Sequence, residues 1–394
     1  MQSKIKISPL ENSSTLSQES DITSSNDSIV FKPKIRAFQE YGCVPTTNKR
    51  SFIFSAVLTF IAFYLIFLSY KLLLLSKENK KLRLKSKGVA ICSIAKNENL
   101  YLKEFVDHHK KLGVDKIFIY DNNDINGEKL DDVLSKDIKT EYVKVINIRG
   151  KGNTPQQKAY ADCYKKNKED FSWILFMDID EQLFIENDMT LRQLLNDKRF
   201  DDCDVVGFNW KIYGDNKLVY YENKTLFERF HGQESYYHSL IKSCVRGGLK
   251  QIYFKNPHAP YKGVDTICNT NGHALGGYIN SNVTSFYYAY IRHYFSKTAE
   301  EYITKLSKSF ADIKEGDFGG RIYVRIVAFF EYNEITPEKL EVLKPIILGK
   351  LNEYEYRNLY KKIYTLPLGI NYINKGEKKC KFVRVKNKNF MWIL

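Results

Sequence analysis

The chain has 394 residues, 43% of them hydrophobic, which is enough for one large globular domain or two ordinary ones. Its net charge is +15, as in many nucleic-acid-binding proteins, but the sequence contains no helix-turn-helix, zinc-finger or RNP pattern. We therefore expect no nucleic-acid partner.

The seven cysteines include no CxxC pair, which argues against a zinc site, and their spacing does not indicate which of them pair. Cys92 and Cys163 lie in apolar or helical surroundings and are predicted to pack as small hydrophobic side chains.

The first part of the chain combines a polar tail with a long apolar segment. Leu10–Ser28 is polar and poor in large apolar residues, and we predict that residues 1–50 form a disordered tail. The segment Ser51–Tyr70 carries no charge and is flanked by basic residues. Its length as a helix is roughly 30 Å, the thickness of a bilayer core. The sequence therefore predicts an uncleaved transmembrane anchor over residues 51–75, followed by a charged stem over 76–87. A buried helix of a soluble domain is the alternative.

From residue 88 onwards, strand-like and helix-like segments alternate. The apolar run GVAICSIA precedes an amphipathic helix that is predicted to stop at Gly113. The runs DKIFIY and YVKVINI follow, and then a helix with Thr154 as N-cap and Pro155 at its first position. The run WILFM is the fourth strand. This order predicts an α/β fold with a parallel sheet that has helices on both faces.

Two adjacent histidines lie in the first of these helices. His109 falls on the apolar face with Phe105 and is predicted to be a core residue. His108 falls on the other side of the helix and is predicted to be solvated.

The ends of the four predicted strands are polar. Ligands of such sheets bind beyond the carboxyl ends of the strands, so these residues outline a cleft. The residues are Lys96, Asn97, Glu98, Asp121, Asn122, Asn123, Arg149, Gly150, Lys151, Asp178, Asp180 and Glu181.

Asp178 and Asp180 are the most informative pair. Two residues apart on an extended strand end, their side chains point to the same side. Two carboxylates there repel each other unless a cation lies between them. A hard divalent cation takes oxygen ligands and keeps positions open for phosphate oxygens. We therefore predict a metal site in preference to an N-cap or loop role.

The segment WILFMDIDE resembles the Asp-x-Asp motif of GT-A glycosyltransferases. The wider pattern is similar to that of the family 2-like and family 92 (DUF23-type) glycosyltransferases. AKNE, HHKKLGVDKIFIYDN, NWKIYG, LFERF, IKSCVR, NPHAP and RHYFSKTAEEY occur in similar order over Lys87–Ser309. Gln182 and Leu183 replace the more usual Phe-Leu, and the final third matches little. The resemblance implies a GT-A-like, Rossmann-like mixed sheet over residues 88–310, with a C-terminal helical extension and tail over 311–394.

The resemblance also implies an activity. This is a metal-dependent, inverting transfer of a sugar, in some members galactose, from a nucleotide diphosphate sugar to a hydroxyl of a glycan or other acceptor. Asp178 and Asp180 would hold Mn²⁺ or Mg²⁺ on the donor diphosphate. His293 would join the metal or touch the diphosphate, unless it only forms part of the surroundings of the next helix. His258, in NPHAP, is similarly placed in a family motif and has no clear role.

Further site residues follow from the same resemblance. Asp121 would contact the nucleotide base, although a plain turn is an equal alternative for it. An inverting reaction needs a base for the acceptor hydroxyl, and the sequence does not choose between three glutamates. Those candidates are Glu181, Glu228 and Glu234, and the residues expected to line the nucleotide pocket are Lys96, Asn97 and Glu98.

Two other functions compete with this one. A phosphatase with an Asp nucleophile also has Asp-x-Asp after an apolar strand. Its motif, however, has Thr or Val at the position of Gln182 and follows the first strand of its domain, whereas the motif here follows the fourth. A membrane-anchored glycan-binding protein could retain the fold without catalysis.

The resemblance implies a Golgi or secretory location with a luminal catalytic domain. The lysines after the apolar segment outnumber Lys49 and Arg50 before it and favour the opposite orientation.

Overall fold

The structure is a computed structural model that describes residues 49–150, 155–230, 235–275, 284–307, 318–363 and 365–366. Several of the sequence predictions lie outside these residues. They concern the tail before Lys49, the cleft residue Lys151, the N-cap Thr154, the candidate base Glu234 and the C-terminal tail from residue 367.

Helix α1 spans Lys49–Lys85 and thus includes both the predicted anchor and most of the predicted stem. Its segment Phe52–Asn79 is, within the described residues, the one helical stretch long and apolar enough to cross a membrane. Large apolar side chains such as Phe60 and Phe63 are exposed along it. The membrane prediction rests on this length and composition.

The first four strands of the globular part follow the order that the sequence predicts. The strands are β1 (Gly88–Ala95), β2 (Lys116–Asp121), β3 (Val143–Asn147), β4 (Phe171–Phe176), β5 (Glu181–Ile185), β6 (Val205–Tyr213), β7 (Ser235–Arg246), β8 (Tyr253–Phe254), β9 (Pro260–Lys262), β10 (Ile267–Cys268) and β11 (Ala289–His293). The helices are α2 (Asn99–Lys111), α3 (Asp131–Lys139), α4 (Pro155–Asn167), α5 (Leu191–Leu195), α6 (Leu226–Phe230), α7 (Ala299–Ser307), α8 (Phe318–Tyr332), α9 (Pro337–Lys350) and α10 (Glu353–Ile363).

The main sheet has the order β3-β2-β1-β4-β7-β6-β11-β5, and β10 pairs with β6. Strands β1 to β4 are mutually parallel, with Ile91 opposite Ile117 on one side and Leu175 on the other. Strand β7 is antiparallel to both β4 and β6, which makes the sheet mixed. The predicted α/β fold is therefore confirmed. Because the chain order reverses between β1 and β4, the carboxyl ends of these two strands border the crevice where such sheets bind ligands.

Helices cover both faces of this sheet, as predicted. Val89 and Ile91 of β1 pack into the core that contains Phe105 of α2. Ala90 of β1 packs into a second core with Tyr160 of α4. This follows from the alternation of side chains along a strand that is buried on both sides.

Two disulfides tie elements of the globular part together. Cys92 of β1 is bonded to Cys163 of α4, and Cys203 is bonded to Cys268 of β10. The prediction that Cys92 and Cys163 pack as separate small hydrophobic side chains is therefore wrong. Both side chains face the same side of the sheet, so the packing of α4 on β1 brings the sulfurs together across 71 positions of sequence. Cys244 is buried and unpaired.

Helix α2 attaches to β5 through its two histidines. It ends as predicted, since Gly113 has a φ of 75° just beyond its last turn. His109 is fully buried, as predicted, and its Nε2 accepts a hydrogen bond from the backbone N–H of Leu183 at 3.2 Å. His108 is half-buried and bound to the backbone, not simply solvated as predicted: its Nε2 donates to the carbonyl of Leu183 at 2.7 Å. Neighbouring rings thus bind both backbone groups of one residue in β5, an arrangement that depends on where β5 lies.

The helices after β11 form a core of their own, which includes Tyr302 of α7 and Phe329 of α8. A capping box begins α7: the N–H of Glu301 donates to the Thr298 hydroxyl, and the N–H of Thr298 donates to the Glu301 carboxylate. Lys339 of α9 is fully buried and pairs with Asp215 beyond β6 at 2.6 Å. The C-terminal helices are therefore fixed to the end of the mixed sheet.

We expect the stability of the globular part to fall as the pH drops below about 6.5, the ordinary pKa of histidine. Burial lowers the pKa of His108, and lowers that of His109 well below its usual value. The unfolded chain therefore takes up protons that the folded chain does not. His109→Ala should lower the free energy of unfolding by about 2–4 kcal/mol, because it leaves a cavity and an unpaired N–H at Leu183.

Urea unfolding of both proteins between about pH 8 and pH 5 measures these effects. The variant should show the weaker pH dependence. His273→Ala, at an exposed histidine, is the control and should match the wild type. Parallel pH curves for wild type and His109→Ala would contradict the prediction.

Candidate active site

The Asp-x-Asp segment lies in the tight turn between β4 and β5, at the carboxyl end of β4. The backbone N–H of Asp178 donates to the carboxylate of Glu181 at 3.0 Å, and the N–H of Glu181 donates to the carbonyl of Asp178 at 3.3 Å. The carbonyl of Asp180 accepts from the N–H of Tyr294. The turn is thus held by its own residues and by the end of β11, beside the crevice between β1 and β4.

Asp178 is surrounded by donors. Its Oδ1 accepts from Nε2 of Gln156 at 2.6 Å, and its Oδ2 accepts from Nζ of Lys242 at 2.7 Å. Lys242 is fully buried and also lies 3.5 Å from Oε1 of Glu181. Burial opposes ionisation of Asp178, but the ammonium of Lys242 outweighs it and the pKa of Asp178 is lowered. Asp178 is therefore an ionised carboxylate whose side chain remains one-third exposed.

Asp180 is paired with one cation from the segment before α7 and with one from α7 itself. Its Oδ2 lies 2.7 Å from Nζ of Lys305 and 3.8 Å from Nζ of Lys297. Burial again opposes ionisation, yet Lys305 and Lys297 hold the pKa of Asp180 well below its usual value. Burial lowers the pKa of Lys305 to about 8, although Asp180 opposes this change. Lys297 has a φ of 53°, a strained conformation for a residue with a side chain, so its position is imposed by its surroundings.

His293 lies beside Asp180 and Glu181. It lies opposite Glu181 in the pairing of β11 with β5, and its Nε2 is 3.8 Å from Oδ1 of Asp180. Burial lowers its pKa to about 3, so the ring is neutral. Its Nδ1 is buried and makes no hydrogen bond within the described part of the chain. The ring centroid of Trp210 is 4.3 Å away.

The three candidate bases occupy different places. Glu181 is fully buried under the turn, and burial raises its pKa well above the usual value. Its carboxyl group accepts a hydrogen bond from the N–H of Asp178 and lies 3.5 Å from Nζ of Lys242, so Glu181 stabilises the turn. Glu228 accepts from the N–H and hydroxyl of Thr225 and caps the short helix α6. Glu234 lies outside the described residues.

The residues predicted for the nucleotide pocket line the ends of β1 and β2. Lys96 pairs with Asp124 at 2.8 Å, and the N–H of Asn97 donates to Oδ1 of Asn123 at 2.7 Å. The carbonyl of Glu98 accepts the first hydrogen bonds of α2. These residues are brought together at the predicted edge of the sheet.

Asp121 is engaged by its neighbours. Its Oδ2 accepts from Nε of Arg149 at 2.8 Å, and its Oδ1 accepts from the N–H and the side-chain amide of Asn123. Arg149 also donates to the carbonyls of Asp124 and Ile125. This network joins the loops after β2 and β3 and agrees with the turn alternative, while its place at the strand end agrees with a ligand-lining role.

Sequence reasoning missed the cations. Lys242 is the lone lysine of the apolar run Leu240–Val245, and such an isolated charge in a strand is a signal for a buried ion pair. Lys297 directly precedes the capping box of α7. Lys305 carries no local signal, since its partner Asp180 is 125 positions away.

Comparison with solved structures gives distant similarities. The chain resembles TarS of S. aureus in complex with UDP-GlcNAc at 12% identity, over 78% of this chain and 99% of that one, with a TM-score of 0.33. It resembles the UDP complex of the same protein at 12% identity, over 77% and 98%, with a TM-score of 0.32.

Curated relatives are more informative. A glycosyltransferase family 92 protein of Oryza sativa subsp. japonica is 31% identical over 31% of this chain and 20% of its own length. One of Ricinus communis is 26% identical over 28% and 19%, and one of Arabidopsis thaliana is 29% identical over 27% and 18%. The match thus spans about a fifth of the length of these relatives.

The sequence profile of glycosyltransferase family 92 matches residues 86–318, more than half of the chain. The match begins just before β1, includes the Asp-x-Asp turn, Lys242, His293 and Lys305, and ends at the start of α8. This match covers more than half of the chain and shows that the chain belongs to glycosyltransferase family 92.

Proposed function

We propose that this glycosyltransferase is anchored in a membrane and transfers a sugar, with galactose as the first candidate, from a nucleotide diphosphate sugar to a hydroxyl of a glycan or other acceptor. We further propose that the reaction is metal-dependent and inverts the anomeric centre. One observation carries the proposal. Two ionised carboxylates and three lysines lie together at the carboxyl end of β4, where α/β sheets bind ligands.

The mixture of charges suits a diphosphate donor. A diphosphate is repelled by carboxylates alone and would be held too rigidly by lysines alone. Lys242 is committed to Asp178 and Glu181 from within the protein. Lys297 and Lys305 approach from the side of α7, and 18% of the Lys305 side chain is exposed. The site therefore offers both cation ligands and cations to an anion that enters the crevice.

The protonation states fit a divalent cation. Asp178 and Asp180 are ionised and His293 is neutral, which is the state that metal ligands require. The buried Nδ1 of His293 has no hydrogen-bond partner among the described residues. Asp178, Asp180 and His293 would hold Mn²⁺ or Mg²⁺, and this cation would supply counter-charge to the leaving diphosphate. No ready-made cluster of three or more such ligands is present in the described residues, so we expect the metal to bind together with the donor.

The chain's own residues have separate tasks in this proposal. Lys242 and Glu181 fix the turn that presents Asp178. Lys305 and Lys297 place positive charge where negative charge develops as the bond to the diphosphate breaks, and fixed charges at that position lower the barrier. The buried position of Lys297 limits the reorganisation that the reaction requires.

The direct test measures sugar transfer by the full-length protein in detergent. Nucleotide sugars, beginning with UDP-galactose, are the donors and a panel of glycans supplies the acceptors, each with and without Mn²⁺. We expect transfer that depends on the metal. The alternative, a glycan-binding protein of the same fold without catalysis, predicts glycan binding with neither transfer nor donor hydrolysis.

Asp180→Asn should abolish metal-stimulated transfer, and Asp178→Asn should impair it severely, because each removes a charged ligand. Calorimetry of Mn²⁺ with UDP should show a loss of metal-dependent affinity of at least about 10-fold for Asp180→Asn. Asp132→Asn, at an exposed carboxylate of α3, is the control. Equal metal-dependent affinity in wild type and Asp180→Asn would exclude Asp180 as a ligand.

One expectation about these carboxylates changes with the structure. From repulsion between two like charges, the sequence predicts that replacing either leaves the metal-free stability unchanged or slightly raised. The lysines reverse this expectation. Replacing Asp178 leaves the buried ammonium of Lys242 with only Glu181 at 3.5 Å, so the stability should fall.

Lys305→Met should weaken binding of inorganic pyrophosphate by about 10- to 100-fold, the usual worth of a charge-assisted hydrogen bond. Lys305→Arg keeps the charge and should retain most of the affinity. Lys139→Met, at an exposed lysine of α3, loses the same charge far from the site and should bind as the wild type does. Equal affinities for Lys305→Met and Lys139→Met would remove Lys305 from the diphosphate site.

We also propose that the globular part lies in the lumen of the secretory pathway, with the Golgi as the expected location. Two disulfides support an oxidising compartment and oppose the orientation that the flanking charges favour. Asn223, in the sequon Asn223-Lys224-Thr225, is exposed and should be glycosylated. Asn223→Gln in cells should remove one glycan, as judged by the gel shift after glycosidase treatment. Glycan found only before residue 49 would contradict this topology.

A further inference from the structure

The proposed function leaves one role unfilled. An inverting transfer needs a group that takes the proton of the acceptor hydroxyl. Within the described residues, Glu181 is buried beneath the Asp-x-Asp turn and Glu228 caps α6, so neither carboxylate faces the crevice free of other tasks. The histidines around Trp210 are therefore the next candidates for this base.

Trp210 of β6 is a half-buried indole with three histidines around it. The ring centroids lie 4.3 Å from His293, 5.0 Å from His258 and 5.7 Å from His238. Nζ of Lys242 lies 5.9 Å from the same indole. Because His293 and Lys242 also contact the two aspartates, Trp210 connects His258 to the proposed donor site.

His258 is held firmly in the motif NPHAP. Its backbone N–H donates to Oδ1 of Asn256 at 2.9 Å, and its carbonyl accepts from the hydroxyl of Ser243. Its Nδ1 lies 3.1 Å from the carbonyl of Ile241. A carbonyl can only accept, so Nδ1 carries the proton and Nε2 has the free lone pair. No hydrogen bond to this Nε2 is present among the described residues, and the side chain is half-buried.

His238 has the opposite tautomer. Its Nδ1 accepts from the backbone N–H of Leu240 at 3.1 Å, so its Nε2 carries the proton. Next to Trp210, His258 therefore presents a neutral nitrogen that is oriented by a backbone carbonyl and able to accept a proton, while His238 does not.

We propose that His258 is the general base for the acceptor hydroxyl, and that the half-exposed indole of Trp210 forms the surface on which the acceptor sugar lies. The inference rests on the proposed function and names the acceptor side of the same site. A pyranose ring presents C–H groups to an aromatic face and hydroxyls at its edge, so a sugar stacked on Trp210 can direct one hydroxyl to the neighbouring imidazole.

The step balances without a further reactant. The acceptor oxygen forms a bond to the anomeric carbon, and the bond from this carbon to the diphosphate oxygen breaks. The electron pair of that bond leaves with the diphosphate, and the hydroxyl proton passes to Nε2 of His258. The imidazolium then returns its proton to water. Lys242, Asp178 and His238 are the charged or titratable neighbours of His258. Burial and Lys242 lower the pKa of His258 to about 4, so the ring is neutral before the step, and the negative charge of Asp178 partly opposes this change.

The test uses His258→Asn in the full-length protein. The Asn side-chain amide can still donate to the carbonyl of Ile241, but the variant has no group in place of Nε2. We expect kcat for transfer from UDP-galactose to fall by about 10²- to 10⁴-fold, the usual contribution of general base catalysis. The affinity for UDP with Mn²⁺, measured by calorimetry, should change less than about 3-fold. His273→Asn, at an exposed histidine, is the matched control and should transfer normally.

Two more variants sharpen the result. His258→Ala should regain part of its rate when free imidazole is added, which a purely structural role would not produce. Trp210→Leu should raise KM for the acceptor glycan more than it changes the affinity for UDP.

The outcomes separate the two proposals. A wild-type protein that transfers no sugar, and hydrolyses no donor, overturns the proposed function together with this inference. An active wild type with His258→Asn at full kcat overturns the inference alone. The inference alone is also overturned if Glu234→Gln loses transfer while His258→Asn retains it, since the base would then be Glu234.

Discussion

The buried ammonium of Lys242 is the interaction on which the rest of the site depends. It lies between Asp178 and Glu181 and fixes the turn after β4 from below. A lysine without exposed surface is tolerated only when its charge is compensated, and the ionised carboxylate of Asp178, 2.7 Å from Nζ of Lys242, provides this compensation. The same pairing keeps Asp178 ionised. The structural requirement of the buried lysine and the chemical requirement of the site are therefore satisfied by one contact.

A second constraint links the site to the C-terminal helices. Lys305 reaches Asp180 from α7, whose Tyr302 and Leu306 are buried in the core shared with α8 to α10. At the start of α7, Glu301 forms a buried pair with Arg229, which joins it to α6. The helices beyond the region matched by the family profile thus support the position of a cation at the site. We expect changes in α8 to α10 to affect donor binding through Lys305.

The neutral imidazoles of His293 and His258 both lie next to Trp210 but have different neighbours. His293 lies beside Asp180, whereas His258 lies next to Trp210 and presents the lone pair of its Nε2. Burial lowers the pKa of both, so both are available as neutral bases or ligands. In the site that we propose, the donor and acceptor halves would share this one aromatic residue.

The sequence by itself determined the parallel order of β1 to β4, the place of Asp178 and Asp180 at a strand end, and the core position of His109. These features follow from periodicity and local caps, which a short segment carries. The tertiary structure decided the ion pairs, the disulfides and the place of His108. Lys242 meets Asp178 across 64 positions, and Lys305 meets Asp180 across 125. Contacts between such distant positions depend on how the sheet and helices pack, and a local pattern does not encode that packing.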